Sequence, residues 1–135
     1  MIVADASLLA NLLIPWLDNA SAEAVLQRDP VWHAPALWSS EFRHTLLKYI
    51  RAKDLAQVAA NDLMMKAQTS METASIEMAS PDVIATAVTL EISTYDAEYV
   101  VLARKLGLAL VTYDKRLAKA ASDIAFLPTD FLSRS

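Results

Sequence analysis

The chain switches repeatedly between two hydrophobic patterns. Short apolar runs at residues 2–4, 31–34, 108–111 and 124–127 have the length and flanking residues of buried strands. A further short strand is expected between residues 71 and 78. Between the runs, apolar residues return every three or four positions, the spacing of helices that pack by one face. Trp38, Phe42, Leu46, Tyr49 and Ile50 form one such stripe, and Tyr99, Leu102, Ala103 and Leu106 another. Further helices are predicted over residues 8–13, 21–28, 55–68, 80–91 and 115–121.

Local punctuation agrees with these elements. Asp5 or Ser7 can cap the first helix, and Pro15 ends it. Ser80, Pro81 and Asp82 read as N-cap, first-position proline and acidic first turn. Gly107, the only glycine in the chain, stands where a helix would end in the left-handed region. Strands alternating with helices imply an α/β fold, a parallel sheet with helices on both faces, formed as one domain over residues 1–135.

Composition narrows the chemistry. The absence of cysteine excludes disulfides, thiolate nucleophiles and cysteine-type zinc sites, and a single glycine excludes a phosphate-binding P-loop or a dinucleotide turn. No apolar run reaches the roughly 18 residues of a membrane span. The first residues lack the basic start of a secretory signal, so a soluble cytoplasmic protein is the default expectation. Apolar residues make up 55% of the chain, which leaves room for an apolar interface, although alanine-rich helices account for much of the excess.

Sixteen acids against twelve bases give a net charge of −4, so four carboxylates are in excess. Four acids stand where an apolar or extended stretch gives way to a helix: Asp5, Glu41, Asp96 and Asp114. Taken singly, the three aspartates are plausible helix N-caps and Glu41 an ordinary first-turn acid. Taken together, they would meet if the strands of a parallel sheet all ended on one edge, where α/β sheets place their ligands. Crowded carboxylates repel one another, and without a cation some would stay protonated. Oxygen donors of this kind select Mg²⁺ or Mn²⁺. Ser7 and Thr112 could hold these carboxylates or a metal-bound water by hydroxyl hydrogen bonds, or equally serve in capping and strand packing, and Glu98 is close enough to Asp96 to touch the site. Arg43, Lys48, Arg51 and Lys53 follow Glu41, and Lys115, Arg116 and Lys119 follow Asp114. They read either as solvated helix faces or as a basic rim for a phosphate backbone. Trp16, Trp32 and Trp38 read as core or interface anchors, Met64 and Met65 as helix packing, and His33 and His44 as surface or packing residues.

These segments resemble the PIN-domain family, and within it the small VapC-like ribonuclease toxins of type II toxin–antitoxin pairs. The resemblance lies in Val3-Ala4-Asp5-Ala6-Ser7, in Ser40-Glu41-Phe42, and in the block from Tyr95-Asp96-Ala97-Glu98-Tyr99 through Leu106-Gly107-Leu108 to Thr112-Tyr113-Asp114-Lys115-Arg116-Leu117. It implies a five-stranded sheet of order 3-2-1-4-5. It also implies that Asp5, Glu41, Asp96 and Asp114 bind Mg²⁺ or Mn²⁺ and hydrolyse RNA phosphodiesters. The partners it implies are a small antitoxin that covers the active site and a second copy of the chain in a homodimer. The competing readings are a receiver-like Mg²⁺-binding signalling module, which needs a lysine after its fifth strand, and a catalytically silent scaffold of the same fold. A phosphatase of the DxDx type lacks its second aspartate, because position 7 is Ser.

Overall fold

The computed structural model describes residues 1–134. At its centre lies β1 (Ile2–Ala4), whose three residues are all buried. Two strands lie to one side of it, β2 (Trp32–Ala34) and then β3 (Met71–Thr73). On the other side are β4 (Leu110–Val111) and β5 (Ala125–Phe126). The sheet order is therefore 3-2-1-4-5, and every pairing is parallel. Val3 sits opposite both His33 and Leu110 in the register, which places β1 between the two halves of the fold. The chain leaves β1 toward β2 and later returns beside it as β4. That reversal opens a crevice at the carboxyl ends of β1 and β4.

Helices α1 (Ala6–Leu13), α2 (Asn19–Arg28), α3 (Trp38–Arg51) and α4 (Gln57–Ser70) pack on one another, α1 meeting all three others. α6 (Thr94–Leu106) lies against β1 and β4, and α5 (Ser80–Leu90) rides on α6. Two short helices, α7 (Lys115–Ala120) and α8 (Pro128–Leu132), follow β4 and β5. Because the strands are only two or three residues long, their ladder bonds are few, and burial of the apolar helix faces carries the fold. Trp32, Tyr99 and Phe42 are the largest fully buried side chains.

The periodic reading locates nearly every element, including the edge strand at β3, with ends displaced by a few residues. Its departures have physical causes. α6 buries Ala97, Val100 and Val101 as well as Tyr99, Leu102 and Ala103, whereas Leu106 is half-buried. A one-sided stripe understates a helix held between a sheet and another helix. Ser80 does not cap α5; the cap position is Ala79, with Ser80 and Pro81 already in the first turn. Trp16 is not a core residue: it is about half exposed, edge-on to Tyr49 at 5.3 Å. Met65 likewise points to solvent while Met64 packs. The short helix after β5 has no counterpart in the periodic reading.

Gly107 ends α6 at φ +66°, with the Leu108 N–H reaching back to the Ala103 carbonyl at 3.0 Å. A Cβ added there would meet nothing within 4 Å. Gly107→Ala should therefore reveal the backbone cost alone, about 1 kcal/mol. Urea denaturation checks this, and an unchanged or raised midpoint would contradict the assignment.

Candidate metal centre

The crevice beside β1 collects the acids. Asp5 directly follows β1 and is the N-cap of α1, where its Oδ1 accepts from the Leu8 N–H at 3.1 Å. The Ser7 hydroxyl also donates to that oxygen at 2.6 Å, and the Thr112 hydroxyl donates to Oδ2. Thr112 is fully buried just beyond β4, so this bond ties the ends of the two central strands together. Its hydroxyl also accepts from the Asp114 N–H at 3.0 Å, while the Ser7 hydroxyl accepts from the Tyr113 N–H at 2.9 Å. The loop carrying Asp114 is thus held by the same two hydroxyls that orient Asp5. Three donors leave one lone-pair direction on Asp5 Oδ2 for a further partner.

The other acids come from helix starts. Asp114 is the N-cap of α7, its Oδ1 accepting from the Arg116 and Leu117 N–H groups at 2.9 and 3.2 Å. Asp96 lies in the first turn of α6 and does not cap it. Ser93 does, its hydroxyl accepting from the Asp96 N–H at 3.0 Å. Glu41 lies in the first turn of α3, where Tyr99 Oη donates to its Oε1 at 2.7 Å. Tyr99 is almost wholly buried and sits one turn beyond Asp96 on α6, so it sets Glu41 against that helix. Neither Ser93 nor Tyr99 stands out at the site from sequence alone. The serine three residues before Asp96 fits an N-cap, but a tyrosine within an apolar stripe gives no sign in the sequence that its hydroxyl meets an acid. All four carboxylates therefore stand at positive helix ends, which partly offset their repulsion.

Electrostatics show that they sense one another. Burial pushes Asp5 above its ordinary carboxyl pKa of 3.8, and the charge of Asp96 adds to this; its three hydrogen bonds oppose without prevailing. Burial likewise raises Glu41, against the Tyr99 hydrogen bond, and Asp5, Asp96 and Glu98 all push the same way. Asp96 is raised by burial and then by Asp114. Glu98 is raised by burial alone, although its charge acts on Glu41.

Among the described residues no lysine or arginine forms an ion pair with any of the four; the ion pairs found there are Met1–Asp29 and Arg104–Asp123. Two basic groups, Arg116 and Lys119, line a groove with Asp96 and Asp114. Also among the described residues, no three of these acids close into a ready-made coordination sphere. The donor set still fits a hard divalent cation. All donors are oxygens, positive charge is missing, and an ion such as Mg²⁺ takes only one or two carboxylates while keeping its waters.

The raised carboxyls have a consequence for the metal-free chain. Each binds its proton more tightly when folded than when unfolded. The stability they contribute is full below about pH 4 and falls as pH rises through the raised folded values. Urea unfolding in EDTA, followed from acid to neutral pH, should show wild type losing stability relative to Asp96→Asn as pH rises. A difference independent of pH would contradict the shared repulsion.

Four likenesses bear on this arrangement. The family model of the PIN domain matches residues 2–123. Ribonuclease VapC3 of Pyrobaculum aerophilum is 29% identical over 121 residues, covering 87% of this chain and 92% of that protein. The crystal structure of PAE2754 from Pyrobaculum aerophilum superposes with a TM-score of 0.78 at 25% identity, over 97% of this chain and 91% of that one. FitAcB from Neisseria gonorrhoeae shares the fold, with a TM-score of 0.64 at 18% identity over 96% of this chain and 99% of that one.

Proposed function

The chain belongs to the PIN-domain family, and on that premise we propose that it is a metal-dependent endoribonuclease acting as the toxin of a toxin–antitoxin pair. One observation carries the reading most strongly: four carboxylates without a basic partner stand at the carboxyl edge of β1 and β4, three of them raised in pKa by burial and by one another. The similar protein named a ribonuclease supplies the substrate class.

In this reading Asp5, Glu41, Asp96 and Asp114 hold Mg²⁺ or Mn²⁺. Such an ion, when bound, lowers the pKa of an attacking water and neutralises charge developing on the phosphoryl oxygens. The remaining work belongs to the chain. Ser7 and Thr112 fix Asp5, and Tyr99 fixes Glu41, so the carboxylates need little reorganisation. Arg116 and Lys119 offer charge to the RNA backbone along the groove they share with Asp96 and Asp114. Water adds to phosphorus and the 3′ oxygen leaves, giving 5′-phosphate and 3′-hydroxyl ends.

The same reading expects a small antitoxin over the acids, where a basic side chain would supply the missing charge. It also expects a second copy of the chain, for which α5 offers exposed Ile84 and Val88. Among the described residues no helix is long and apolar enough to cross a membrane, and the reading places the protein in the cytoplasm. A receiver-like module fits less well, since β5 is followed by Leu127 and Pro128 and not by a lysine.

Purified wild type should cleave looped or single-stranded RNA with Mn²⁺ or Mg²⁺, and Asp114→Asn should lose the activity at least about a hundredfold, in line with loss of a group that stabilises charge. Asparagine caps helices as well as aspartate does, so this variant should keep the wild-type circular dichroism spectrum. Expression of wild type alone should arrest a bacterial host, and Asp114→Asn should be tolerated. Cleavage that persists in EDTA, or that leaves 2′,3′-cyclic phosphate ends, would overturn the mechanism. Equal harmlessness of the two proteins at matched levels would overturn the toxin role.

A further inference from the structure

The groove on the α7 side of the acids carries two basic residues, Arg116 and Lys119, whereas the pocket beside Glu41 is of a different kind. It is lined by Leu37, Ser40, Glu41, His44, Thr45 and Tyr95, together with Ala6. Glu41 belongs to both this pocket and the acid cluster, and Ala6 and Tyr95 directly adjoin Asp5 and Asp96 in the chain. Tyr95 is 63% exposed, although it stands in the first turn of a helix whose other aromatic residue, Tyr99, is buried. Among the described residues the one aromatic pair is Trp16 with Tyr49, so the Tyr95 ring has no aromatic partner among them.

A chain of net charge −4 that binds a polyanion beside four carboxylates cannot rely on charge alone for affinity. Aromatic faces supply the complementary grip, because a base stacks on them whatever the charge balance. Only unpaired bases present a free face, whereas those in a duplex are already stacked.

Building on the ribonuclease reading, we propose that the pocket walled by Tyr95 and Glu41 receives an unpaired nucleobase next to the scissile phosphate, stacked on the Tyr95 ring. Arg116 and Lys119 take the backbone on the opposite side of the acids. Ser40, His44 and Thr45 lie along the pocket and supply the polar edge that selects among bases. The substrate therefore crosses the site with one end held by stacking and the other by charge, and the site prefers loops and single strands to duplex.

The test uses the salt dependence of RNA binding. A fluorescein-labelled unstructured RNA oligonucleotide and an abasic strand of the same length are titrated by anisotropy with Mg²⁺ present. The protein carries Asp114→Asn so that the RNA stays intact. Adding Tyr95→Ala should weaken binding of the RNA roughly tenfold. The slope of log affinity against log salt should not change, and Tyr95→Phe should restore the affinity. Arg116→Ala or Lys119→Ala should instead make that slope shallower by about 0.7 for each phosphate no longer neutralised. On the abasic strand, Tyr95→Ala should have no effect. Equal affinity of Tyr95→Ala and its parent for the RNA overturns the proposal and leaves the pocket to a protein segment. An equal loss on the abasic strand also overturns it. If the parent binds no RNA, the ribonuclease reading fails together with this inference; if the parent binds and Tyr95→Ala has no effect, only the inference fails.

Discussion

Crowded negative charge governs this molecule. Parallel strands must all end on the same edge, and here β1 and β4 deliver Asp5 and Asp114 there while α3 and α6 bring Glu41 and Asp96 over it. Burial adds to the repulsion, because it removes the water that would otherwise screen like charges. The fold tolerates this through local devices: four helix N-termini aimed at the crevice, two hydroxyls on Asp5 and one on Glu41. None of these supplies a full positive charge. That missing charge is the physical basis for proposing a divalent metal there.

Around that centre the surface is asymmetric. Basic Arg116 and Lys119 flank Asp96 and Asp114, while a less charged pocket with an exposed tyrosine flanks Glu41. The carboxylates are held by residues whose own positions are fixed by the core. Thr112 is fully buried beyond the central strand pair and Tyr99 is buried on α6, so packing and chemistry share the same side chains. A change in either would disturb both, whereas the exposed groove residues Arg116, Lys119 and Tyr95 lie outside that packing.

Much of this was legible in the sequence. Four acids at strand-to-helix junctions are a local pattern, and the alternation of strand and helix periods implies the edge on which they meet. Ser7 and Thr112 were readable as supports because each lies two residues from an aspartate. The strand order came from family resemblance, since runs of two or three residues carry no information about their neighbours. Tyr99 was hidden for a different reason. Its ring fits an apolar stripe, and only the three-dimensional arrangement reveals that the hydroxyl meets Glu41 of α3. The same helix buries Val100 and Val101, which periodicity places off the stripe. Ser93 takes the capping role for which Asp96 was a candidate, leaving the Asp96 carboxylate free for the site.

The most direct test of the central claim is the effect of a divalent ion on stability, because a ligand of the folded state must raise its melting temperature by mass action. Thermal unfolding of wild type should shift upward with added Mn²⁺ or Mg²⁺, and calorimetric titration should detect the binding. The Asp96→Asn, Asp114→Asn double variant should show neither effect, and its metal-free form should melt no lower than metal-free wild type. If neither ion moves the wild-type melting curve, or if the double variant responds as strongly as wild type, these carboxylates are not a metal site.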